Sequence, residues 1–327
     1  MLNQLREQIF SISNEASFEA CTLAVFHYQY AHCEVYRNFV NALNVSPDKV
    51  HSSKEIPFLP ISFFKTHYIV SGNAAPEIVF SSSGTTGNTT SLHNVVQTSL
   101  YKESYQRTFE LFYGYPKDYC ILALLPAYSE RSGSSLIYMF DDLLKQSNHP
   151  HSGYYLHADD KLKHTLIELS AKGQKTLLLG VSYALLDFAE KYTLQLNNCI
   201  VMETGGMKGR RKEIIRKHLH ETLTKSFGVN QVHSEYGMTE LLSQAYSKGE
   251  GIFMCPPWMR VEAREIDDPL SPVLTQKTGG LNVIDLANLN SCSFISTQDL
   301  GRVFNDNSFE VLGRFDNSDI RGCNLLL

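Results

Sequence analysis

Residues 176–204 read TLLLGVSYALLDFAEKYTLQLNNCIVMET, and this stretch decides the fold. Residues 176–180 form a short apolar run typical of a buried strand, and residues 182–192 follow with the spacing of a helix. A second apolar run at 200–203 predicts another strand. Strand, helix and strand in this order indicate a parallel sheet covered by helices, because parallel neighbours are joined by crossover connections.

The same alternation continues on both sides of this stretch. Further helices are predicted near 97–113, 134–146, 159–171 and 211–227, and further strands at 77–80, 121–125 and 229–234. In the N-terminal segment, apolar residues at three- and four-residue steps predict one helix over 18–43, which ends before Ser46-Pro47-Asp48. The whole pattern predicts an α/β fold with a helix-covered, mostly parallel sheet.

After about residue 243 the pattern changes to short strands separated by Gly, Asn and Asp turns. These strands are predicted at 258–266, 281–286, 294–296 and 309–312. They indicate a smaller β-rich C-terminal unit. We therefore divide the chain into an N-terminal helical segment (1–75), an α/β core (76–243) and a β-rich subdomain with a C-terminal tail (244–327).

Composition excludes several classes of protein. The chain has 327 residues, of which 43% are apolar and 19% charged, as in a globular protein and unlike a disordered chain. The net charge of -5 disfavours nucleic-acid binding, which rests on a positive surface. The most apolar stretch, 176–188, is too short to cross ~30 Å of hydrocarbon. The spacing of the cysteines excludes CxxC and paired zinc-ligand motifs and indicates a reducing, cytoplasmic compartment.

A loop rich in Ser, Thr and Gly follows the strand at 77–80. It reads SSSGTTG over residues 81–87. Its two glycines let successive backbone N–H groups point at an anion, and its hydroxyls add further donors. It is not a Walker A loop, because no Gly-Lys-Ser/Thr ends it. Composition alone leaves two interpretations open, a phosphate-binding loop and a flexible surface loop.

Two further motifs place polar residues at strand ends. Residues 235–240 read EYGMTE after a predicted strand, and ligands of open α/β sheets collect at the carboxyl ends of strands. Residues 296–302 read STQDLGR, and residues 313–322 read GRFDNSDIRG. An Asp carboxylate accepts both hydroxyls of a ribose. Taken alone, each motif is better explained as a strand followed by a polar turn.

Together, and in this order, the motifs resemble those of the acyl-adenylating superfamily of acyl-CoA ligases and related enzymes. The stretches LLPAYSERSGSS at 124–135 and ETGGMKGR at 203–210, and the short tail after Gly322, narrow the resemblance to the acyl-protein synthetases, the LuxE type. The resemblance implies the N-terminal-domain fold of adenylate-forming enzymes. It also implies that a fatty acid and ATP form acyl-AMP, and that the acyl group then moves to a cysteine and on to an acyl reductase.

The resemblance implies a set of ATP-binding residues. They are Ser82, Ser83, Gly84, Thr85, Thr86, Gly87, Gly205, Gly206, Tyr236, Gly237, Thr239, Glu240, Asp299 and Arg314. The loop 82–87 is expected to hold the β- and γ-phosphates. Gly205, Gly206 and Tyr236 are expected to flank adenine.

The resemblance also assigns the chemical steps to residues. Thr239 is expected to meet the α-phosphate, and Glu240 to hold Mg²⁺. Asp299 and Arg314 are expected to bind the ribose. Cys323 stands at the position of the acyl-accepting cysteine, in Arg321-Gly322-Cys323-Asn324. We therefore predict catalytic roles for Cys323, Glu240 and Thr239.

The chain departs from the superfamily pattern in two ways. Asn88 follows the Gly/Thr loop where most ligases have a Pro-Lys pair. The mobile C-terminal lobe, which carries a catalytic lysine, is expected to be missing, because the chain ends soon after Asp316. The group that neutralises charge on the α-phosphate therefore stays open, with Lys208, Arg210 and Arg131 as candidates.

Three other functions stay open at this stage. The chain is alternatively a ligase that loads CoA or a carrier protein, or a non-catalytic subunit that binds a nucleotide or acyl group. Residues 180–184 also resemble the nucleophile elbow of α/β-hydrolases, with Ser182 as nucleophile and His233 as base. In the simpler interpretation, Ser182 caps the following helix.

Overall fold

The structure is a computed structural model that describes residues 2–82, 90–125, 133–205, 211, 214–273 and 276–315. The chain divides into two compact units. The first comprises Met1–Glu77, Gly87–Gln97 and Pro257–Leu327, and the second comprises Ile78–Thr86 and Thr98–Pro256. The first unit thus combines N-terminal and C-terminal segments that the sequence-based division kept separate.

The described residues form helices and strands in alternation over much of the chain. The helices are α1 (Leu2–Phe10), α2 (Glu15–His32), α3 (Glu34–Ala42), α4 (Thr98–Tyr113), α5 (Ser135–Ser147), α6 (Asp160–Ala171), α7 (Ser182–Lys191) and α8 (Arg216–Phe227). The strands are β1 (Leu59–Pro60), β2 (Ile78–Ser81), β3 (Leu92–Val95), β4 (Cys120–Leu124), β5 (Gly153–Tyr155), β6 (Thr176–Val181), β7 (Cys199–Thr204), β8 (Val232–Tyr236), β9 (Ala245–Ser247), β10 (Ile252–Met254), β11 (Met259–Arg264), β12 (Gly279–Asp285), β13 (Phe294–Val303) and β14 (Phe309–Arg314).

The second unit contains the predicted helix-covered sheet. Its strands lie in the order β10-β9-β8-β7-β6-β4-β5. Neighbours from β8 to β5 are parallel, and β9 and β10 are antiparallel additions at one side. β4 and β6 are buried along their whole length, which explains their continuous apolar sequence. The predicted α/β fold with a mostly parallel sheet is confirmed.

The first unit contains a smaller antiparallel sheet, as predicted for the C-terminal part. β11, β12, β13 and β14 pair in sequence order. β1 pairs parallel to β13 through Leu59↔Ile295 and Pro60↔Ser296. Buried Gln29 of α2 accepts a hydrogen bond from the Ser293 backbone N–H at 2.9 Å and donates one to the Asn288 carbonyl at 3.0 Å. The N-terminal helix α2 is therefore joined by hydrogen bonds to the segment that precedes β13.

The predicted single helix over 18–43 is wrong, because the chain breaks at Cys33. The Cys33 backbone is extended, with φ -104° and ψ 102°, and separates α2 from α3. Fully buried Tyr36 donates its hydroxyl to the Pro57 carbonyl at 2.7 Å, and its ring stacks on Phe294 with centroids 5.9 Å apart. These long-range contacts favour the break, which the apolar spacing along 18–43 does not reveal.

The basic helix predicted from residue 211 begins at Arg216 as α8. Among the described residues, no helix combines the length and apolar character needed to cross a membrane.

Glu262 on β11 gives the first unit a testable pH dependence. Burial raises the pKa of this half-buried carboxyl to about 7, although the charges of Arg260 and Lys54 oppose the shift. Because the folded pKa is raised, its stabilising contribution is full below pH 4.5 and is lost as pH rises through about 7. We expect Glu262→Gln to increase the free energy of unfolding above pH 7 by about 1–2 kcal/mol.

Urea denaturation at pH 5 and pH 8 measures this effect. The exposed Glu265, just after β11, provides a matched control. Glu265→Gln is expected to change the free energy of unfolding only slightly, and by the same amount at pH 5 and pH 8. A Glu262→Gln gain of the same size at both pH values would contradict the assignment.

Candidate functional site

The carboxyl ends of three parallel strands bring predicted site residues together in the second unit. β6, β7 and β8 pair in register, with Val181↔Thr204 and Thr204↔Glu235. Gly205 follows β7 directly, and Tyr236 ends β8. The two sequence motifs predicted to flank adenine therefore lie at the same edge of one sheet, where open α/β sheets bind ligands.

A hydrogen bond joins these two strand ends. The Thr204 hydroxyl donates to Glu235 Oε2 at 2.5 Å, and both residues are buried. Gly237 lies against the same carboxylate, since a Cβ at this position would be 2.5 Å from Glu235 Oε1. The glycine of the EYGMTE motif thus leaves room for Glu235, while Tyr236 packs edge-on against Phe253 with centroids 5.9 Å apart.

Glu203, at the end of β7, is the centre of a buried polar cluster. Its side chain is 5% exposed and lies 3.3 Å from Arg216 Nε and 3.7 Å from His220 Nε2. Burial raises the pKa of Glu203, but the His220 and Ser234 hydrogen bonds and the charges of Arg216 and His220 outweigh it, so the pKa falls below its ordinary value. Glu203 is therefore ionised at neutral pH, immediately before the predicted adenine loop.

Ser182 belongs to this cluster and does not form a hydrolase-like pair. Its hydroxyl lies 2.9 Å from Glu203 Oε2 and 2.6 Å from the Gly205 carbonyl, and it donates its one hydrogen to either acceptor. The ring of His233 instead contacts the Tyr113 hydroxyl at 3.1 Å, and burial lowers the His233 pKa to about 4. The structure thus gives no support to Ser182 as a nucleophile activated by His233.

The predicted capping role of Ser182 is also wrong. The N-cap of α7 is Val181, and no side-chain cap hydrogen bond is made there. Ser182 occupies the first helical position, from which its hydroxyl points to the end of β7. Its hydroxyl ties the β6–α7 turn to Glu203 and Gly205, which favours a structural role.

This assignment predicts the behaviour of Ser182→Ala. Loss of one buried hydrogen bond is expected to lower the free energy of unfolding by about 1–2 kcal/mol and to leave turnover within about twofold of the unaltered chain. Thermal denaturation measures the change in stability, and acid-dependent pyrophosphate release measures turnover. Complete loss of turnover in a folded Ser182→Ala protein would restore the nucleophile hypothesis.

Thr239 and Glu240 lie in the turn that follows β8. Leu241 N–H donates to the Met238 carbonyl at 3.1 Å and closes this turn. Glu240 is 5% exposed and Thr239 is half-buried. No group of three or more His, Cys, Asp or Glu side chains among the described residues is arranged to hold a metal. A single carboxylate fits Mg²⁺ nonetheless, because this ion usually takes one or two carboxylates together with phosphate oxygens and water.

In the first unit, Asp299 and Arg314 meet across two strands. They are direct partners in the β13–β14 register, and Arg314 Nε donates to Asp299 Oδ1 at 3.0 Å. The Asp299 side chain is 6% exposed and that of Arg314 is 76% exposed. The pair places a fixed, buried carboxylate beside an accessible guanidinium.

A β-bulge presents Asp299. Gly280↔Leu300 and Asn282↔Ser296 are paired, so Leu281 of β12 opposes the three residues 297–299 of β13. Thr297 fixes this bulge, because its hydroxyl donates to the Leu281 carbonyl at 2.7 Å and accepts the Asp299 N–H at 3.1 Å. Bulges of this kind re-aim side chains and recur beside active sites.

Several predicted residues lie outside the described part of the chain. They are Ser83, Gly84, Thr85, Thr86, Gly87, Gly206 and Cys323, together with the cationic candidates Lys208, Arg210 and Arg131. Ser82 is described and half-buried, one residue after β2. The Ser81 N–H donates to the Gly133 carbonyl at 2.8 Å and fixes the end of that strand.

Comparison with known families decides the classification. The profile of the family described as "Acyl-protein synthetase, LuxE" matches residues 8–327. The chain belongs to the acyl-protein synthetase family. Membership makes it an adenylate-forming enzyme of the ligase type, and it confirms the resemblance on which the sequence motifs converged.

Solved structures similar to this chain confirm its fold. A 2-hydroxyisobutyryl-CoA ligase in complex with 2-HIB-AMP and CoA has a TM-score of 0.67 at 11% identity, covering 92% of this chain and 71% of the ligase. The same ligase in its postadenylation state has a TM-score of 0.66 at 13% sequence identity, covering 94% of this chain and 70% of the ligase. No curated protein matches the chain.

A more distant structure is ATP-bound MatB from Rhodopseudomonas palustris. Its TM-score is 0.53 at 14% identity, covering 74% of this chain and 49% of MatB. This chain thus spans about half the length of MatB. At such identities the likeness establishes a shared adenylate-forming fold.

Sequence reasoning missed Glu203, Thr297 and the Thr204–Glu235 bond as parts of the site. Glu203 carries a recognisable signal, since it is an acid at the carboxyl end of an otherwise apolar predicted strand. Glu235 carries less, because the predicted strand before it contains polar residues. Thr297 gives none beyond its place in STQDLGR, because its role depends on the pairing register of β12 and β13.

Proposed function

We propose that this protein activates a fatty acid with ATP and Mg²⁺ as acyl-AMP and then transfers the acyl group to its own Cys323. The observation that carries the proposal is the family match over residues 8–327, which includes both the candidate ATP residues and Cys323. The acyl thioester is then delivered to a protein acceptor of the acyl-reductase class. The remaining support comes from the chemistry of the described side chains.

In the first step, a carboxylate oxygen of the acid attacks the α-phosphorus of ATP. A new oxygen–phosphorus bond forms, the bond to the β-phosphate oxygen breaks, and pyrophosphate leaves. Catalysis here is mainly positioning and stabilisation of charge. Asp299 and Arg314 hold the ribose, Thr239 meets the α-phosphate, and Glu240 holds Mg²⁺, whose role is to neutralise phosphate charge.

In the second step, the Cys323 thiolate attacks the acyl carbonyl carbon of acyl-AMP. A thioester forms and AMP leaves with the electron pair of the broken anhydride bond. Arg321 stands two residues before Cys323 in the sequence and is expected to favour the thiolate electrostatically. The wild-type thioester is expected to be released by hydroxylamine.

Five of the other cysteines are poor acyl acceptors. Burial raises the pKa of Cys21 and Cys120 to about 11 and that of Cys199 to about 12. Cys33 and Cys292 are fully buried, and their thiol pKa values are also raised by burial. Cys255 is half-buried and serves below as the control thiol. Among the described residues, no disulfide joins these cysteines, which supports a proposed location in the reducing cytoplasm.

Pyrophosphate release tests the adenylation step. The purified chain is incubated with ATP, MgCl₂ and, in turn, each member of a chain-length series of saturated fatty acids. We expect release that depends on the acid and peaks at one chain length. Release that is independent of the acid, or undetectable for the whole series, would contradict adenylation and favour a non-catalytic binding subunit.

A CoA ligase is the second candidate, and the described CoA complexes of 2-hydroxyisobutyryl-CoA ligase favour it. The two functions differ in the acyl acceptor. Adding CoA to the same assay and separating the products distinguishes them. With radiolabelled fatty acid, our proposal predicts that the label accumulates on the protein with or without CoA. A CoA ligase would instead form labelled acyl-CoA and leave the protein unlabelled.

A further inference from the structure

Arg264 is a buried arginine whose side chain crosses a neighbouring strand. It ends β11, directly opposite Gly280 of β12, and only 8% of its surface is exposed. Its Nη2 donates to the carbonyl oxygen of Thr297 on β13 at 2.8 Å. The guanidinium therefore passes over β12 and reaches the bulge that presents Asp299.

Gly280 makes this crossing possible. A Cβ on Gly280 would lie 2.0 Å from Nη1 and 2.4 Å from Cζ of Arg264. Any side chain at position 280 would occupy the volume of the guanidinium. The φ angle of Gly280 is not positive, so glycine is needed here for space and not for a left-handed backbone.

The charge of Arg264 is incompletely matched by hydrogen bonds. Within the part of the chain that the structure describes, its Nε and Nη1 atoms are shielded from solvent and have no hydrogen-bond partner. Burial lowers the pKa of Arg264, and the negative charge of Asp299 opposes that shift. A buried cation is costly unless an anion compensates it, so Arg264 and the Asp299 carboxylate stabilise each other electrostatically.

Thr297 connects the two charged residues. Its carbonyl accepts from Arg264, while its hydroxyl accepts the Asp299 N–H. Asp299 is thus held from three directions: by Arg314 Nε at 3.0 Å, by the Thr297 hydroxyl through its own backbone, and by the field of Arg264. Arg264 lies outside every motif that identified the candidate ATP residues.

We propose that Arg264 is a positioning residue for the ribose of ATP. It holds the Thr297 carbonyl and thereby the bulge, and it keeps the Asp299 carboxylate oriented to accept the ribose hydroxyls. It does not itself touch the ligand, because its guanidinium is shielded. This inference rests on the proposed function, in which Asp299 binds ribose.

Equilibrium binding of nucleotides tests this role without needing the acid substrate. Titration calorimetry compares ATP, 2′-deoxy-ATP and 3′-deoxy-ATP, each with MgCl₂, on the full chain and on Arg264→Met. We expect Kd for ATP to rise about tenfold in the variant, because a hydrogen bond to a charged group is weakened. For 2′-deoxy-ATP and for 3′-deoxy-ATP, each of which lacks one of the two hydroxyls that Asp299 accepts, Kd is expected to rise less than for ATP, by about threefold.

Two further variants make the test specific. Gly280→Ala retains Arg264 but displaces its guanidinium, so it is expected to reproduce the loss of discrimination between ATP and the two deoxy analogues. The double variant is expected to lose no more than either single variant, because both act through the same contact. Arg260→Met, on the same strand, removes a cation that pairs with Glu15, and is expected to leave discrimination unchanged.

The outcomes separate this inference from the proposed function. Unchanged discrimination in folded Arg264→Met and Gly280→Ala, or equal weakening for ATP and both analogues, would overturn the positioning role alone. Failure of the unaltered chain to bind ATP would overturn the proposed function and the inference with it. The role would be established if Arg264→Met and Gly280→Ala both lose discrimination between ATP and its deoxy analogues, and if Asp299→Asn shows the same loss.

Discussion

Glu240→Gln is expected to lower acid-dependent pyrophosphate release by at least about a hundredfold while the protein stays folded. Glutamine has nearly the same shape as glutamate, so the turn after β8 is expected to keep its form around this 5% exposed side chain. The amide carries no charge and is a far weaker ligand for Mg²⁺. Pyrophosphate release at several MgCl₂ concentrations, together with thermal denaturation, measures the two effects separately.

The exposed Glu221 on α8 provides the matched control for Glu240. Glu221→Gln changes the net charge by the same amount in the same unit and is expected to leave the rate unchanged. A folded Glu240→Gln protein with a rate near that of the unaltered chain would rule out the magnesium role.

Cys323→Ser is expected to abolish stable acyl loading and to leave adenylation intact. The candidate groups for ribose, phosphate and magnesium are other residues, so pyrophosphate release is expected to stay within about twofold of the unaltered rate in a single-turnover burst. A neutral hydroxyl is a far weaker nucleophile than a thiolate, so the acyl group is not captured. Radiolabelled fatty acid, with ATP and MgCl₂, measures loading directly on the protein.

Cys255→Ser is the control for this experiment. Cys255 is half-buried, so the variant tests whether any partly accessible thiol accepts the acyl group. Full labelling is expected for Cys255→Ser and none for Cys323→Ser. Equal labelling of the Cys323→Ser protein and the unaltered chain would make the self-acylating assignment wrong.

The sequence predicted the parallel sheet well because its strands are buried on both faces. A strand such as β6 is apolar at consecutive positions, so it is recognised in the sequence without knowing which strands it pairs with. The three-residue strands β5, β9 and β10 were missed, since so few residues carry no periodic pattern. The break at Cys33 was missed because contacts with Pro57 and Phe294, far along the chain, favour it.

The candidate site was predicted where its residues lie within contiguous motifs. Asp299 and Arg314 come from two such motifs, and the structure pairs them directly. Arg264 was not predictable, because its contact with Thr297 depends on the strand register and on the absence of a side chain at Gly280. The Glu203 cluster likewise joins residues from β7 and α8 that only the fold brings together.

The mass of the intact protein after reaction tests the central claim most directly. The chain is incubated with ATP, MgCl₂ and the fatty acid that gives the fastest pyrophosphate release, and its mass is measured before and after hydroxylamine treatment. We expect a single acyl addition that hydroxylamine removes and that peptide mapping assigns to Cys323. An unmodified protein despite acid-dependent pyrophosphate release, or an acyl group on any other residue, would contradict the account.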